Sequence, residues 1–260
     1  MKPAPFLYMR PESVEEAADL LAEHGDEAKV LAGGQSLVPA LNMRIARPSV
    51  LVDVNRLPLG DVSDDGGSWR VGATVRQADS RLLGHPLLAE AIPFVGHFVT
   101  RNRGTVAGSI AHADAAGELP LCLALLAGSV VTSAGRTVTA DELFVTHFTT
   151  SLRPGELVVE TLWPKPEPGW GYAFEELAQR RGDYALCMAA AAARGPELRV
   201  AIGSVVGRPT VLAVDPDAPG ESAATQVEPF GNLHASADYL CHLLRVLVDR
   251  ASARARERST

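Results

Sequence analysis

The segment from Ala32 to Leu37 has the composition of an anion-binding turn. It contains paired glycines, Gly33 and Gly34, followed by Gln35 and Ser36. Paired glycines let the main chain turn tightly and bring its N–H groups close to an anion, because no Cβ stands in the way. A diphosphate is the anion that this turn is expected to bind. Ordinary strand-to-helix turns have the same composition, however, and the segment has neither a GxGxxG fingerprint nor a Walker-type Gly-Lys-Ser/Thr.

A second segment, residues 103–118, is rich in Gly, Ala and Ser and carries the hydroxyl donors Thr105 and Ser109. A chain that passes against a flat, rigid cofactor cannot carry bulky side chains, which would explain this composition. Asp114 and Glu118 could accept hydrogen bonds from ribityl or ribose hydroxyls. Close packing between helices would explain the small residues equally well, so this segment alone does not establish a cofactor site.

Helices and strands must hold these two segments in place. Apolar spacing predicts a helix that starts after Pro11 and ends at His24-Gly25. Buried strands are expected just before the first segment and after it, and Leu37 can begin a short helix. The remaining predictions are a hairpin over 57–74, a helix start over 74–79 capped by Thr74, helices over 86–98 and 119–127, a hairpin over 130–138, a strand over 157–162, a helix over 185–193, a strand over 198–206, a loose polar loop over 215–228 and a helix over 235–250.

Composition narrows the classes of function. The 260 residues have a formal net charge of −7, whereas nucleic-acid binding needs a basic surface. No apolar run approaches the ~20 residues of a membrane span, and the N-terminus lacks a secretory signal pattern, so we expect a cytoplasmic protein without a membrane span. The three cysteines are far apart in apolar runs, which indicates buried thiols. The histidine spacing fits no metal site, and no catalytic residue can be assigned.

Taken in chain order, several motifs resemble the medium-subunit family of carbon monoxide dehydrogenase. The resemblance covers nearly the whole chain, and the co-occurrence of the motifs in order is far more specific than any one of them. The matching segments are Ala32–Pro39, Arg44 and Leu51–Asn55 for the first FAD loop of that family, Arg101–Val106 and Ala111–Asp114 for the second, and Glu175–Leu177, Arg181–Leu186 and His234–Tyr239 in its C-terminal domain.

The resemblance implies an α+β fold of the FAD-binding PCMH/VAO type, as shared with xanthine dehydrogenases. Two α+β subdomains, residues 1–55 and 56–165, would enclose the flavin, and a smaller α/β lobe, residues 171–260, would follow. The implied cofactor is FAD, with its pyrophosphate between Gly33–Ser36 and Thr105–Gly108 and with Asp183–Leu186 beside the isoalloxazine. Tyr184 could flank that ring or simply pack.

The cofactor-binding residues predicted from the two segments and from the resemblance are Ala32, Gly33, Gly34, Gln35, Ser36, Leu37, Thr105, Ala107, Gly108, Ser109, Asp114, Glu118, Asp183, Tyr184 and Leu186.

The same resemblance implies an FAD-dependent oxidoreductase subunit of a molybdenum hydroxylase. The implied partners are a molybdenum-containing large subunit, which oxidises the substrate, and an iron–sulfur small subunit, which relays the electrons. This chain would then pass them through the flavin to a small-molecule acceptor.

Three departures from the family pattern motivate a second hypothesis. Ala107 stands where the family usually has Gly, Ala115 replaces a common Pro, and the polar stretch between Val206 and Pro229 is short. The chain could be a stand-alone member of the fold recruited to a biosynthetic oxidation or cyclisation, such as that of a polyketide cyclase, with FAD as oxidant, scaffold or lost. A structural or assembly protein without chemistry is a third option.

Overall fold

The computed structural model describes residues 2–259, and its N-terminal part is built on a small parallel sheet. Its elements are β1 (Leu7–Met9), α1 (Val14–His24), β2 (Ala28–Leu31), α2 (Leu37–Asn42) and β3 (Val50–Asp53). The strands pair in the order β1–β3–β2, and β1 was not predicted from the sequence. Because parallel strands end at the same edge of a sheet, the residues that follow β2 and β3 emerge side by side.

Helix α1 begins and ends as the sequence predicts. The Ser13 hydroxyl accepts a hydrogen bond of 3.1 Å from the Glu16 N–H, which caps the first turn. Ala17 and Leu21 bury the apolar face of the helix in the core of the parallel sheet. This packing fixes the start of β2 and therefore the position of the glycines that come after it.

The middle of the chain forms a five-stranded antiparallel sheet with helices inserted between its strands. The elements, in chain order, are β4 (Val62–Asp64), β5 (Ser68–Gly72), α3 (Pro86–Ala91), α4 (Phe98–Arg101), α5 (Val106–His112), α6 (Glu118–Leu125), β6 (Ser129–Thr132), β7 (Thr137–Thr139), α7 (Ala140–Leu143), β8 (Phe144–Thr146), β9 (Thr149–Thr150) and β10 (Val158–Pro164). The strand order is β4–β5–β10–β6–β7. Both predicted hairpins and the predicted helix over 119–127 are confirmed.

The C-terminal part is a four-stranded antiparallel sheet with a long helix on one face. Its elements are β11 (Gly171–Ala178), β12 (Ala185–Arg194), β13 (Glu197–Gly203), β14 (Thr210–Leu212), α8 (Pro219–Ala224) and α9 (Ala237–Arg258). The strands pair in numerical order. Helix α9 covers one face, and α6 with α3 from the middle of the chain covers the other, so the two larger sheets share a core.

The helix predicted over residues 185–193 was wrong, because these residues form strand β12. Alanine favours helices, but β12 is a central strand whose two faces are both covered. Ala190 and Ala192 point into the core shared with the middle sheet, whereas Ala189, Ala191 and Ala193 point toward α9. Small side chains let the helices on both sides approach closely, so tertiary packing overrides the intrinsic propensity.

Three other predictions need correction. Residues 74–79 are not a helix start, since the first helical turn there is a 3₁₀ turn over Ser80–Gly84 that Asp79 caps. The helix predicted over 86–98 ends at Ala91, and a 3₁₀ turn containing Pro93 follows. The stretch 215–228 contains α8 and is not simply a loop. The domain limits 1–55, 56–165 and 171–260 remain a prediction.

Between residues 2 and 259, no helix is both long enough and apolar enough to cross a bilayer.

Because β12 and α9 pack closely, a larger side chain between them should lower the stability of the fold. Ala191→Leu should lower the free energy of unfolding by about 1–3 kcal/mol, because a buried site with close helix packing cannot accept three more carbon atoms without strain. The matched control is Ala253→Leu on the exposed face of α9, which should change stability by less than about 0.5 kcal/mol. Chemical denaturation measures both, and equal stability of the two variants would contradict this account of β12.

Candidate functional site

The two small-residue segments touch each other. A Cβ on Gly33 would lie 2.6 Å from the Arg103 carbonyl oxygen and 2.6 Å from the Gly104 Cα. Side-chain carbons do not approach other atoms so closely, so glycine is the residue that this contact allows at position 33. We name the turn at residues 32–37 loop 1 and the turn at residues 103–109 loop 2. Their main chains are in direct contact.

Loop 1 leaves the end of β2 and leads into α2. Gly34 has a φ of +72°, a left-handed conformation that favours glycine. The Gln35 side-chain amide donates a hydrogen bond of 3.1 Å to the Gly33 carbonyl, so it braces the loop. The amide N–H groups of residues 33–36 donate to no other residue in the described part of the chain. Four consecutive donors are therefore available to an anion.

Loop 2 leads into α5. The Thr105 hydroxyl accepts a hydrogen bond of 3.0 Å from the Gly108 N–H and so caps the helix, and within residues 2–259 it donates no hydrogen bond of its own. A Cβ on Gly108 would lie 3.8 Å from the Ala32 Cβ, so the first turn of α5 also faces loop 1. Ser109 is half-buried in the same turn.

The two alanines that depart from the family pattern, Ala107 and Ala115, do not block the opening between the loops. Ala107 is 3% exposed and packs in the core with Val106 and Ile110, so its methyl group points away from the opening between the loops. Only its main chain could contact a cofactor. Ala115 is also buried, and its carbonyl accepts a hydrogen bond of 2.8 Å from the Ser204 N–H, which ties that turn to the end of β13.

A cavity of about 390 Å³ opens beside loop 1. Four of the predicted residues line it, namely Ala32 to Gln35. Ser36, Leu37 and the predicted residues of loop 2 lie outside its lining. The complete lining, which includes residues that the sequence analysis did not single out as site residues, is Tyr8, Leu31, Ala32, Gly33, Gly34, Gln35, Val38, Pro39, Asp53, Asn55 and Arg103.

Asp53 holds this edge of the parallel sheet together. Its carboxylate accepts hydrogen bonds from the Tyr8 hydroxyl and from the Asn55 side-chain amide, the latter at 2.6 Å. Burial opposes ionisation of Asp53, but these hydrogen bonds outweigh it and hold the pKa of the carboxyl below its usual range. Parallel pairing of β2 and β3 brings Asp53 beside loop 1, and that edge rule could have identified it from the sequence.

Three carboxyl groups gather behind loop 2. Asp114 accepts a hydrogen bond of 2.9 Å from the Ala116 N–H and lies 3.7 Å from the His147 imidazole. Burial raises the pKa of Glu118, at the start of α6, to about 7. Burial, together with the neighbouring Glu118, raises the pKa of Glu176 on β11 to about 8, and its buried Oε2 has no hydrogen-bond partner within residues 2–259. At neutral pH Glu176 therefore holds its proton and Glu118 is partly ionised.

The third predicted segment, Asp183–Leu186, lies at the start of β12. The turn before it packs against the loop that precedes α4, where a Cβ on Gly182 would lie 2.8 Å from the His97 ring. Burial and the negative charges of Asp114 and Glu118 raise the pKa of the Tyr184 hydroxyl, although 67% of the residue is exposed. An exposed ring whose hydroxyl is near these carboxyls satisfies both observations.

Leu186 departs from the expected arrangement. Its side chain packs on the core under α9, whereas Ala185 packs on the core shared with the middle sheet. Adjacent residues of a strand point to opposite faces, so only the main chain of Leu186 could face the helices of the middle sheet. Asp183 is exposed in the turn.

Comparisons with known proteins agree with this geometry. A family model described as the FAD binding domain in molybdopterin dehydrogenase matches residues 4–166. The alpha subunit of the 6-hydroxypseudooxynicotine dehydrogenase complex of Paenarthrobacter nicotinovorans is 39% identical over all of this chain and 97% of its own length. The carbon monoxide dehydrogenase medium chain of Hydrogenophaga pseudoflava is 34% identical over 96% of this chain and 97% of its own.

Solved structures match over the full length as well. A carbon monoxide dehydrogenase structure from Hydrogenophaga pseudoflava superposes with a TM-score of 0.94 at 32% identity and covers 100% of both chains. Quinoline 2-oxidoreductase from Pseudomonas putida 86 gives a TM-score of 0.90 at 34% identity over 99% of each chain. The α+β FAD-binding fold of the PCMH type is thereby confirmed.

The predicted cofactor and enzyme class are confirmed by the same matches, since the relatives are subunits of dehydrogenases and the matched domain binds FAD. The stand-alone biosynthetic hypothesis and the non-enzymatic option are not favoured. The chain belongs to the family of FAD-binding medium subunits of molybdenum hydroxylases, and it is an oxidoreductase subunit of that family.

Proposed function

We propose that this chain receives electrons from an iron–sulfur small subunit of a molybdenum hydroxylase and passes them through FAD to a small-molecule acceptor. The observation that carries the proposal is the contact between loop 1 and loop 2 at Gly33 and Gly104, beside four amide donors available to an anion. The redox chemistry is supplied by FAD, which can take up two electrons and two protons. The residues of this chain bind and orient it.

The number and the pKa values of the cysteine thiols support the proposal that a partner subunit carries the iron–sulfur clusters. A cluster with four thiolate ligands needs more cysteines than the three in this chain. Burial raises the pKa of Cys187 to about 12 and that of Cys122 well above the usual range, so neither thiol gives up its proton readily. These properties of the thiols support the proposal that the clusters lie in another subunit.

The diphosphate of FAD is proposed to lie where the two loops meet. The N–H groups of residues 33–36 would donate to it, and Thr105 could add its hydroxyl proton. Arg103 lines the cavity beside loop 1 and would balance part of the negative charge. Gly108 would contribute close approach and no donor, because its N–H is bonded to Thr105.

The ribityl chain and the flavin ring are proposed to extend from loop 2 toward β12. Asp114 and Glu118 would accept hydrogen bonds from ribityl hydroxyls, and Tyr184 would flank the isoalloxazine. Asp183 and the main chain of Leu186 would border its edge. Glu176 would hold a proton and Glu118 a partial negative charge near the ring.

Gly33 gives the first test. Gly33→Ala should raise the dissociation constant for FAD at least about tenfold, roughly 1.4 kcal/mol, because the added methyl must push loop 1 away from Arg103 and Gly104. The matched control is Gly67→Ala, whose Cβ would meet no atom within 4 Å. Fluorescence titration of the FAD-free variants with FAD measures the dissociation constant. An unchanged dissociation constant in Gly33→Ala would show that the diphosphate does not lie at this position.

The ionisation of Glu118 predicts that the affinity for FAD depends on pH. If its carboxylate accepts a ribityl hydroxyl, FAD favours the ionised form, so FAD affinity should increase as the pH rises through the pKa of about 7 and level off above it. Glu118→Gln cannot ionise at this position and should lose the rise in affinity around pH ~7. The exposed Glu23→Gln serves as the control and should keep the wild-type profile. Fluorescence titration with FAD decides between these outcomes.

Electron transfer is tested in the complex with its partner subunits. A complex stripped of FAD should still lose its iron–sulfur absorption when dithionite is added without oxygen. On mixing with a quinone it should regain that absorption much more slowly than the FAD-loaded complex, and added FAD should restore the rate. Equal rates with and without FAD would show that electrons leave by another path.

A further inference from the structure

Residues 75–77 run alongside loop 2 as an extended strap. The Gln77 N–H donates a hydrogen bond of 2.9 Å to the Gly104 carbonyl, and the Val106 N–H donates one of 3.0 Å to the Val75 carbonyl. Arg76 lies between these bonds and pairs with Thr105 in an isolated antiparallel bridge. The backbone of loop 2 is therefore held by this strap.

Arg76 connects the strap to both loops. Its Nη1 donates a hydrogen bond of 2.6 Å to the Arg103 carbonyl in loop 2, and its Nη2 donates one of 2.8 Å to the Asn55 side-chain oxygen. The Asn55 amide nitrogen in turn donates a hydrogen bond of 2.8 Å to the Ala32 carbonyl in loop 1. One continuous chain of hydrogen bonds thus joins the two loops.

The geometry of this series of hydrogen bonds requires an arginine at position 76 and an asparagine at position 55. A planar guanidinium donates from two nitrogens in a fixed fork, whereas a lysine ammonium is a single point that cannot reach both acceptors in the same geometry. Asn55 accepts through its oxygen and donates through its nitrogen at the same time. Within residues 2–259, both acceptors of Arg76 are neutral oxygens and no carboxylate is hydrogen-bonded to its guanidinium.

We propose that Arg76 and Asn55 form a clasp that sets the spacing between loop 1 and loop 2, which makes Arg76 a positioning residue for FAD binding. The inference rests on the proposed place of the diphosphate between these loops. Loop 1 belongs to the parallel sheet and loop 2 to the helices of the middle sheet, so the clasp joins two separately built parts of the fold. Without it, the diphosphate donors lose their mutual position while each sheet keeps its core.

A double-mutant cycle tests the clasp in the full chain, produced with its partner subunits and freed of FAD. Arg76→Lys and Asn55→Ala should each raise the dissociation constant for FAD by about tenfold. The double variant should bind no more weakly than the weaker single variant, because either change opens the same chain of bonds. Arg70→Lys is the matched control: Arg70 is also half-buried, but its partners are Glu160 and Asp65, away from the loops.

Two further readouts separate positioning from general damage. At saturating FAD, the visible flavin spectrum of Arg76→Lys should equal that of the wild type, because the isoalloxazine lies at a different end of the site. The melting temperature of the FAD-free protein should fall no more for Arg76→Lys than for Arg70→Lys.

Each outcome decides the matter. Wild-type FAD affinity in Arg76→Lys, or additive losses of affinity in the double variant, would overturn the clasp. The proposed function would stand in that case, provided that the wild-type chain binds FAD. A wild-type chain that binds no FAD would overturn both.

Discussion

Direct contact between two stretches of main chain governs the site. Loop 1 and loop 2 approach so closely at Gly33 and Gly104 that no Cβ fits between them. The contact depends on two sheets that fold around separate cores, since loop 1 extends from the parallel sheet and loop 2 caps a helix packed on the antiparallel one. A diphosphate held there would draw its donors from both, so binding and the relative position of the two parts are coupled.

The C-terminal sheet serves the same site from the other side. Its central strand is lined with alanine on both faces, which lets α9 and α6 approach it closely. Helix α6 begins at Glu118, and the sheet opposite supplies Glu176 and the turn that carries Tyr184. The C-terminal sheet therefore borders the region where the flavin ring is proposed to lie, and it contributes the protonated Glu176 carboxyl there.

Charge is distributed unevenly between the two ends of the site. Arg103 and Arg76 lie at the junction of the loops, where burial and the charge of Arg103 lower the pKa of Arg76. Asp53 also lines the cavity at this end, whereas three other carboxyl groups gather at the opposite end, where burial keeps Glu176 protonated at neutral pH. The proposed orientation of FAD, with its diphosphate at the junction of the loops and its ring near Glu176, is compatible with this distribution of charge.

The sequence by itself determined the two loops, the helix and hairpins around them, and the family, because glycine pairs, caps and apolar spacing act over a few residues. It did not determine the conformation of Ala185–Ala193, since the helix propensity of alanine is local while the pairing that overrides it comes from β11 and β13. Nor did it identify Tyr8, Asp53, Asn55 or Arg76 as parts of one network. These residues are brought together only by strand order and by a strap that the local pattern suggested was helical, and contacts between distant segments depend on tertiary packing.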